Sequence, residues 1–135
     1  MHPAPALVDS LDVESCPRGE VTRLRVWLVA DGLGDRIRLP VVVVRGRGEG
    51  PVVGVTAAMH GNELNGIPVI HEVVRTLDAE RLAGTVVAIP VLNVPGYHLH
   101  QREFLDGIDL NRAFPGREGG TPSQVFASRL LERVV

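Results

Sequence analysis

The chain alternates between short apolar runs and turns rich in glycine, proline and charge. Residues 1–20 show no sustained period and contain three prolines, so they are expected to form a lead-in, in part disordered, of which a piece pairs with a sheet edge. From Val21 to Ala30 the residues alternate at first and are rich in β-branched types, which predicts a strand. A turn over Asp31–Asp35 leads into a second strand, Arg36–Arg45, and the two are expected to pair as an antiparallel hairpin. Pro40 argues for an edge or a strand start at that point. After a glycine-rich loop over Gly46–Pro51, the continuous apolar run Val52–Met59 predicts a strand covered on both faces. Leu64, Ile67, Ile70, Val74 and Leu77 recur at helical spacing and predict a helix over Glu63–Leu77, with Pro68 tolerated near its first turns. Thr85–Leu92 predicts another buried strand. Strand, helix and strand in this order form a βαβ unit with a right-handed crossover.

The stretch Asn93–Gly120 is polar and without period, and a structureless segment of that length inside a domain is usually functional. Thr121-Pro122-Ser123-Gln124 then reads as a helix start, with a capping threonine, proline at the first helical position and glutamine closing a capping box. That helix is expected to run to the end of the chain. The predicted fold class is α/β, a mixed β-sheet with flanking helices.

Composition narrows the chemistry. The length of 135 residues suits one domain, and 44% hydrophobic residues suffice for a core. A net charge of -2, with no basic stripe, argues against a nucleic-acid partner. All 14 basic residues are arginines, which excludes a P-loop lysine, a Schiff-base lysine and a serine–lysine hydrolase. Cys16 is the single cysteine, so an intrachain disulfide or a multi-cysteine zinc site cannot form. In its polar, proline-flanked setting Cys16 is expected to be a solvated spectator. No apolar run approaches the roughly 20 residues of a membrane span and no signal peptide stands at the start, so the expected location is the cytoplasm, with no membrane partner.

Two groups of residues could carry chemistry. His60-Gly61-Asn62-Glu63 sits where an apolar strand meets a helix, the position at which α/β proteins bind ligands. An imidazole and a carboxylate three residues apart can reach one metal ion, and such donors suit zinc. The alternative is an exposed loop histidine beside a helix-starting glutamate. Arg102 and Asp109-Leu110-Asn111-Arg112 form the second group, suited to holding an anion or polarising a carbonyl. Alternatively, these arginines pair with Glu103, Asp106 and Asp109 in a solvated loop. His71 is expected to project away from the site, while His98 and His100 would share one side of an extended segment.

The runs GPVVGVTAAMHGNELNGIPVIHEV and VVAIPVLNVPGYHLHQREFLDGIDLNRAFPG, with RLPVVVVRG before them, resemble the zinc carboxypeptidase superfamily, and within it the succinylglutamate desuccinylase/aspartoacylase branch. The resemblance covers roughly residues 36–135. It implies that His60 and Glu63 are two of three protein ligands to one catalytic zinc, and that Arg102 polarises the scissile carbonyl. It further implies that Asn111 and Arg112 grip the free carboxylate of a small N-acyl amino acid or peptide substrate.

The family's third ligand, a histidine on a later strand, and its general-base glutamate have no counterpart up to Val135. Residues 21–135 are therefore expected to be the N-terminal part of a zinc-hydrolase catalytic domain, inactive alone, with self-association through an uncovered sheet edge. The reaction implied is hydrolysis of an amide next to a free carboxylate, as in an N-acyl amino acid deacylase. Rivals are a carboxypeptidase acting on peptide C-termini and a non-catalytic binding module that keeps the fold.

Overall fold

A computed structural model describes residues 4–135. Its centre is a five-stranded mixed sheet of β1 (Ala6–Val8), β2 (Glu20–Ala30), β3 (Arg36–Arg45), β4 (Gly48–Thr56) and β5 (Ala83–Ile89), in the order β1-β2-β3-β5-β4. β2 and β3 form the expected antiparallel hairpin, with Leu24 opposite Val41 and Val26 opposite Leu39. β4 and β5 run parallel, joined through helix α1 (Gly66–Thr76), as the βαβ reading requires. Two helices after β5 complete the fold: α2 (Val94–Leu99) and α3 (Pro122–Arg133).

The alternation along β2 and β3 divides the core. Val26, Leu28, Leu39, Val41 and Val43 face α3, where Phe126, Ala127 and Leu130 pack against them together with Phe104 and Leu110. Val42, Val44 and Ala88 face α1 through Ile70 and Val74. Pro40 lies inside β3 rather than at its start. β3 pairs with β5 only from Val42 onward, so the missing N–H of Pro40 falls outside that ladder.

Several expectations are corrected. Gly48–Pro51 belongs to β4 rather than to a loop, and β4 is an edge strand with most of its residues exposed, not a strand covered on both faces. Its apolar run misleads because Val52 and Val53 both remain exposed, leaving Val55 and Ala57 to touch the α1 cluster. Helix α1 begins at Gly66, three residues later than expected, because Glu63 N–H closes a turn on the His60 carbonyl. The Asn93–Gly120 stretch holds α2 and a 3₁₀ turn over Leu110–Arg112, both too short to show a period.

A piece of the lead-in pairs with a sheet edge as expected: β1 runs parallel to β2, and buried Arg45 ties Glu14 and Cys16 to β3 through their carbonyls at 2.6 and 2.7 Å. Cys16 is accordingly buried, not solvated, and burial pushes its thiol pKa up. His98 and His100 lie at the end of α2 and in its left-handed cap, not on an extended segment, while His71 is exposed as expected.

At the start of α3 the capping box forms, with Thr121 N–H donating to Gln124 Oε1 at 3.1 Å. Asp106 adds a second cap, accepting from Ser123 N–H at 2.9 Å. Burial alone would raise the Asp106 pKa, but the hydrogen bonds from Ser123 and Ile108 outweigh it and hold the carboxyl below its usual value. Asp106→Ala is expected to lower the unfolding free energy by about 1 kcal/mol in a denaturant titration at pH 7. Because the folded pKa is depressed, this contribution is present above the unfolded carboxyl pKa and fades as pH falls through the folded one. Among the described residues no helix is long and apolar enough to cross a membrane.

Candidate functional site

The site forms where β4 ends. The chain leaves the sheet through Ala58, a non-glycine residue with φ 51°, and turns back at His60–Glu63. Gly61 fits here because of what it touches. A Cβ at this position would lie 2.0 Å from the Gly96 carbonyl carbon and 2.3 Å from the Tyr97 nitrogen, so the turn presses directly on the α2 backbone.

His60 is nearly enclosed, its side chain 12% exposed, and its two ring nitrogens face opposite carboxylates. Nε2 lies 2.9 Å from Asp109 Oδ1, and Nδ1 lies 3.1 Å from Glu63 Oε1. Arg102 spans the same two acids, reaching Glu63 Oε1 at 3.1 Å and Asp109 Oδ2 at 3.4 Å. Asp109 also accepts from the Asn111 backbone N–H at 3.0 Å, and Arg112 Nε stands 3.9 Å from Asp109 Oδ2. The His60 hydrogen bond, aided by the Asn111 amide and the nearby charges, holds the Asp109 carboxyl below its usual pKa against the opposing effect of burial.

The structure therefore brings His60, Arg102 and Arg112 around the Asp109 carboxylate, with Glu63 contacting His60 and Arg102, and Asn111 and Arg112 in one 3₁₀ turn. Of the two readings of the arginines, the structure displays the pairing one at Asp109, which Arg102 and Arg112 both approach, while the Arg112 side chain stays 83% exposed. Two residues organise the rest: Asp109, read in the sequence as a counter-ion of the arginines, and Asn93, for which the sequence suggested no role. Asp109 orients the His60 ring, and Asn93, fully buried, bonds to the carbonyls of Arg102 and Glu103.

The donor spacing fits a metal. Two zinc ligands at about 2.0–2.2 Å on a tetrahedral ion stand roughly 3.3–3.5 Å apart, close to the 3.1 Å between His60 Nδ1 and Glu63 Oε1. Asp109 occupies the far side of the ring, so it is placed to hold the tautomer and not to complete a donor set. Among the described residues, no group of three or more His, Cys, Asp or Glu is arranged to hold a metal ion.

The succinylglutamate desuccinylase/aspartoacylase catalytic domain matches residues 49–135. The chain belongs to this family. An N-alpha-acetyl-L-2,4-diaminobutyric acid deacetylase of Halomonas elongata is 37% identical over 92 residues, covering 67% of this chain and 27% of the relative. A succinylglutamate desuccinylase/aspartoacylase structure from Rhodobacter sphaeroides superposes with TM-score 0.78 at 29% identity, covering 94% of this chain and 39% of that one. The product-bound ectoine utilization protein EutE (DoeB) of Ruegeria pomeroyi superposes with TM-score 0.70 at 28% identity, covering 86% and 37%. The chain thus spans about a quarter of the length of the curated relative and two fifths of the solved structures. The matched region contains β4 from its second residue, α1, β5 and every site residue named above.

Proposed function

We propose that this chain carries the zinc-facing and carboxylate-facing part of an amidohydrolase site, one that cleaves an amide next to a free carboxylate in a small N-acyl amino acid. The observation that carries this reading is the convergence of His60 Nδ1 and Arg102 Nη1 on Glu63 Oε1, each at 3.1 Å. His60 and Glu63 would hold the metal, which supplies an activated water and polarises the substrate carbonyl. Asp109 accepts the Nε2 proton of His60 and so presents Nδ1 as the free donor. Arg102, 46% exposed beside these donors, offers its N–H groups to the oxygen on which charge develops during attack. Arg112, largely free, and Asn111 beside it would bind the substrate carboxylate, for which the guanidinium fork is matched.

The name of the Halomonas relative supports an acylated amino acid over a peptide. A catalytic zinc normally has three protein ligands, and the described residues offer two. The chain alone is accordingly expected to hold zinc weakly and to lack the proton-transfer contribution of a general base, typically 10²–10⁴-fold. In a polypeptide that supplies the third donor, N-acetyl and N-succinyl amino acids should be hydrolysed faster than short peptides. There, Arg112→Ala should raise KM about 10-fold or more with little change in kcat, the loss of one charge-assisted hydrogen bond. An unchanged KM would remove Arg112 from the clamp.

We further propose that two copies of this chain associate through the open edge of β4, where Val52 and Val53 are 61% and 48% exposed beside an unpaired ladder. Light scattering over a concentration series should show the mass rising, and Val53→Lys should return it to the monomer value. A monomer at every concentration would contradict this.

A further inference from the structure

We infer that Asn93 is a positioning residue that fixes the distance between the metal-donor turn and the guanidinium of Arg102. Its role as a catalytic support rests on the function proposed above; the geometric part does not.

Asn93 has no exposed surface, and all its hydrogen-bonding groups serve a purpose. Its backbone N–H donates to the Ala58 carbonyl at 2.9 Å, two residues before His60. Its Oδ1 accepts from Gly96 N–H at 2.9 Å, capping α2. Its two Nδ2 protons go to the carbonyls of Glu103 at 3.1 Å and Arg102 at 3.3 Å. The Arg102 carbonyl also receives Gly61 N–H at 3.4 Å, from the middle of the donor turn. One residue therefore joins three segments, the exit of β4 through its backbone, and the start of α2 and the loop that carries Arg102 through its side chain.

The side-chain chemistry separates positioning from capping. A cap on α2 needs only an acceptor, which aspartate or serine supplies as well as asparagine. The carbonyls of Arg102 and Glu103 need donors, and only the amide combines the acceptor with two donors in this arrangement. The amide orientation is set by its neighbours, one N–H and two carbonyls. Because the bond is made to the peptide of Arg102 itself, it fixes the root of that side chain, and Gly61 pressed on Gly96 leaves little room to compensate.

Asn93→Asp is the discriminating variant, since it keeps the cap acceptor and removes the donors. In ¹H–¹⁵N NMR below the melting temperature, it should shift the Arg102 Nε–Hε resonance and speed exchange of the Gly61 amide at least about 10-fold. Exchange of the Gly96 and Phe126 amides should stay within about 3-fold, whereas a purely structural role would loosen all four sites together. Unmoved Arg102 and Gly61 signals, or uniform loosening, would overturn the inference. Should the variant not fold, the unaltered protein answers the same question. The Asn93 Nδ2 protons should exchange at least about 100-fold more slowly than a free amide, and exchange at the free rate would overturn the assignment. In a polypeptide with the third donor, the variant should lower kcat about 10–100-fold with KM within about 2-fold, the signature of a displaced transition-state contact. Zinc titration of the unaltered chain reads the metal assignment separately, so its failure leaves the NMR result standing.

Discussion

Alanine at His60 or Glu63 is expected to weaken zinc uptake by at least about 100-fold while leaving the fold in place. The size of the effect follows from the donor count. With two protein donors at 3.1 Å spacing, removing either leaves a single ligand, and even outer partners of metal ligands typically matter by 10–100-fold. The fold should survive because both residues sit in a turn outside the sheet, and the Glu63 side chain is 62% exposed. Asp109→Asn should fall between the variants and the unaltered chain, about 10–100-fold weaker, since it touches the metal only through the His60 ring. Calorimetric zinc titration paired with thermal melts checks all three. Zinc affinity unchanged from the unaltered chain in both the His60 and Glu63 variants would place the metal elsewhere.

Arg102→Ala carries the second large effect. In a polypeptide with the third donor, kcat and kcat/KM should fall together by about 10²–10³-fold. That pattern marks an interaction made mainly in the transition state, and the magnitude is what removal of one oxyanion donor costs in comparable sites. Arg102 is held for this task from two directions: its side chain lies between Glu63 and Asp109, and its backbone is tied to Gly61 and Asn93. A fall in kcat/KM through KM alone would make Arg102 a binding group and move the carbonyl-polarising role to another residue.

How much of this was legible in the sequence depends on the range of the interaction concerned. The β2–β3 hairpin was readable because alternation and a turn are local signals, and the capping box at Thr121 is local as well. The exposure of β4 was not readable. Whether an apolar run is central or at an edge depends on strand order, and VVGVTAAM has the same composition in either place. Helix α2 escaped because six residues are less than two turns, and its cap is a side chain whose other bonds reach nine and ten residues ahead.

For the site, the pairing of H-x-x-E with the distal arginines was visible as order along the chain. That Asp109 binds the far nitrogen of His60 was not, because a carboxylate among arginines reads equally well as their counter-ion. The structure shows it serving both partners, His60 through Oδ1 and Arg102 through Oδ2.

The measurement that bears most directly on the central claim is a zinc titration followed by ¹⁵N NMR of the five histidine side chains. Zinc should shift Nδ1 of His60 while Nε2 keeps its proton toward Asp109, and the other four rings should stay unchanged. Zinc that shifts His71, His98 or His100 instead, or that binds His60 through Nε2, would contradict the account.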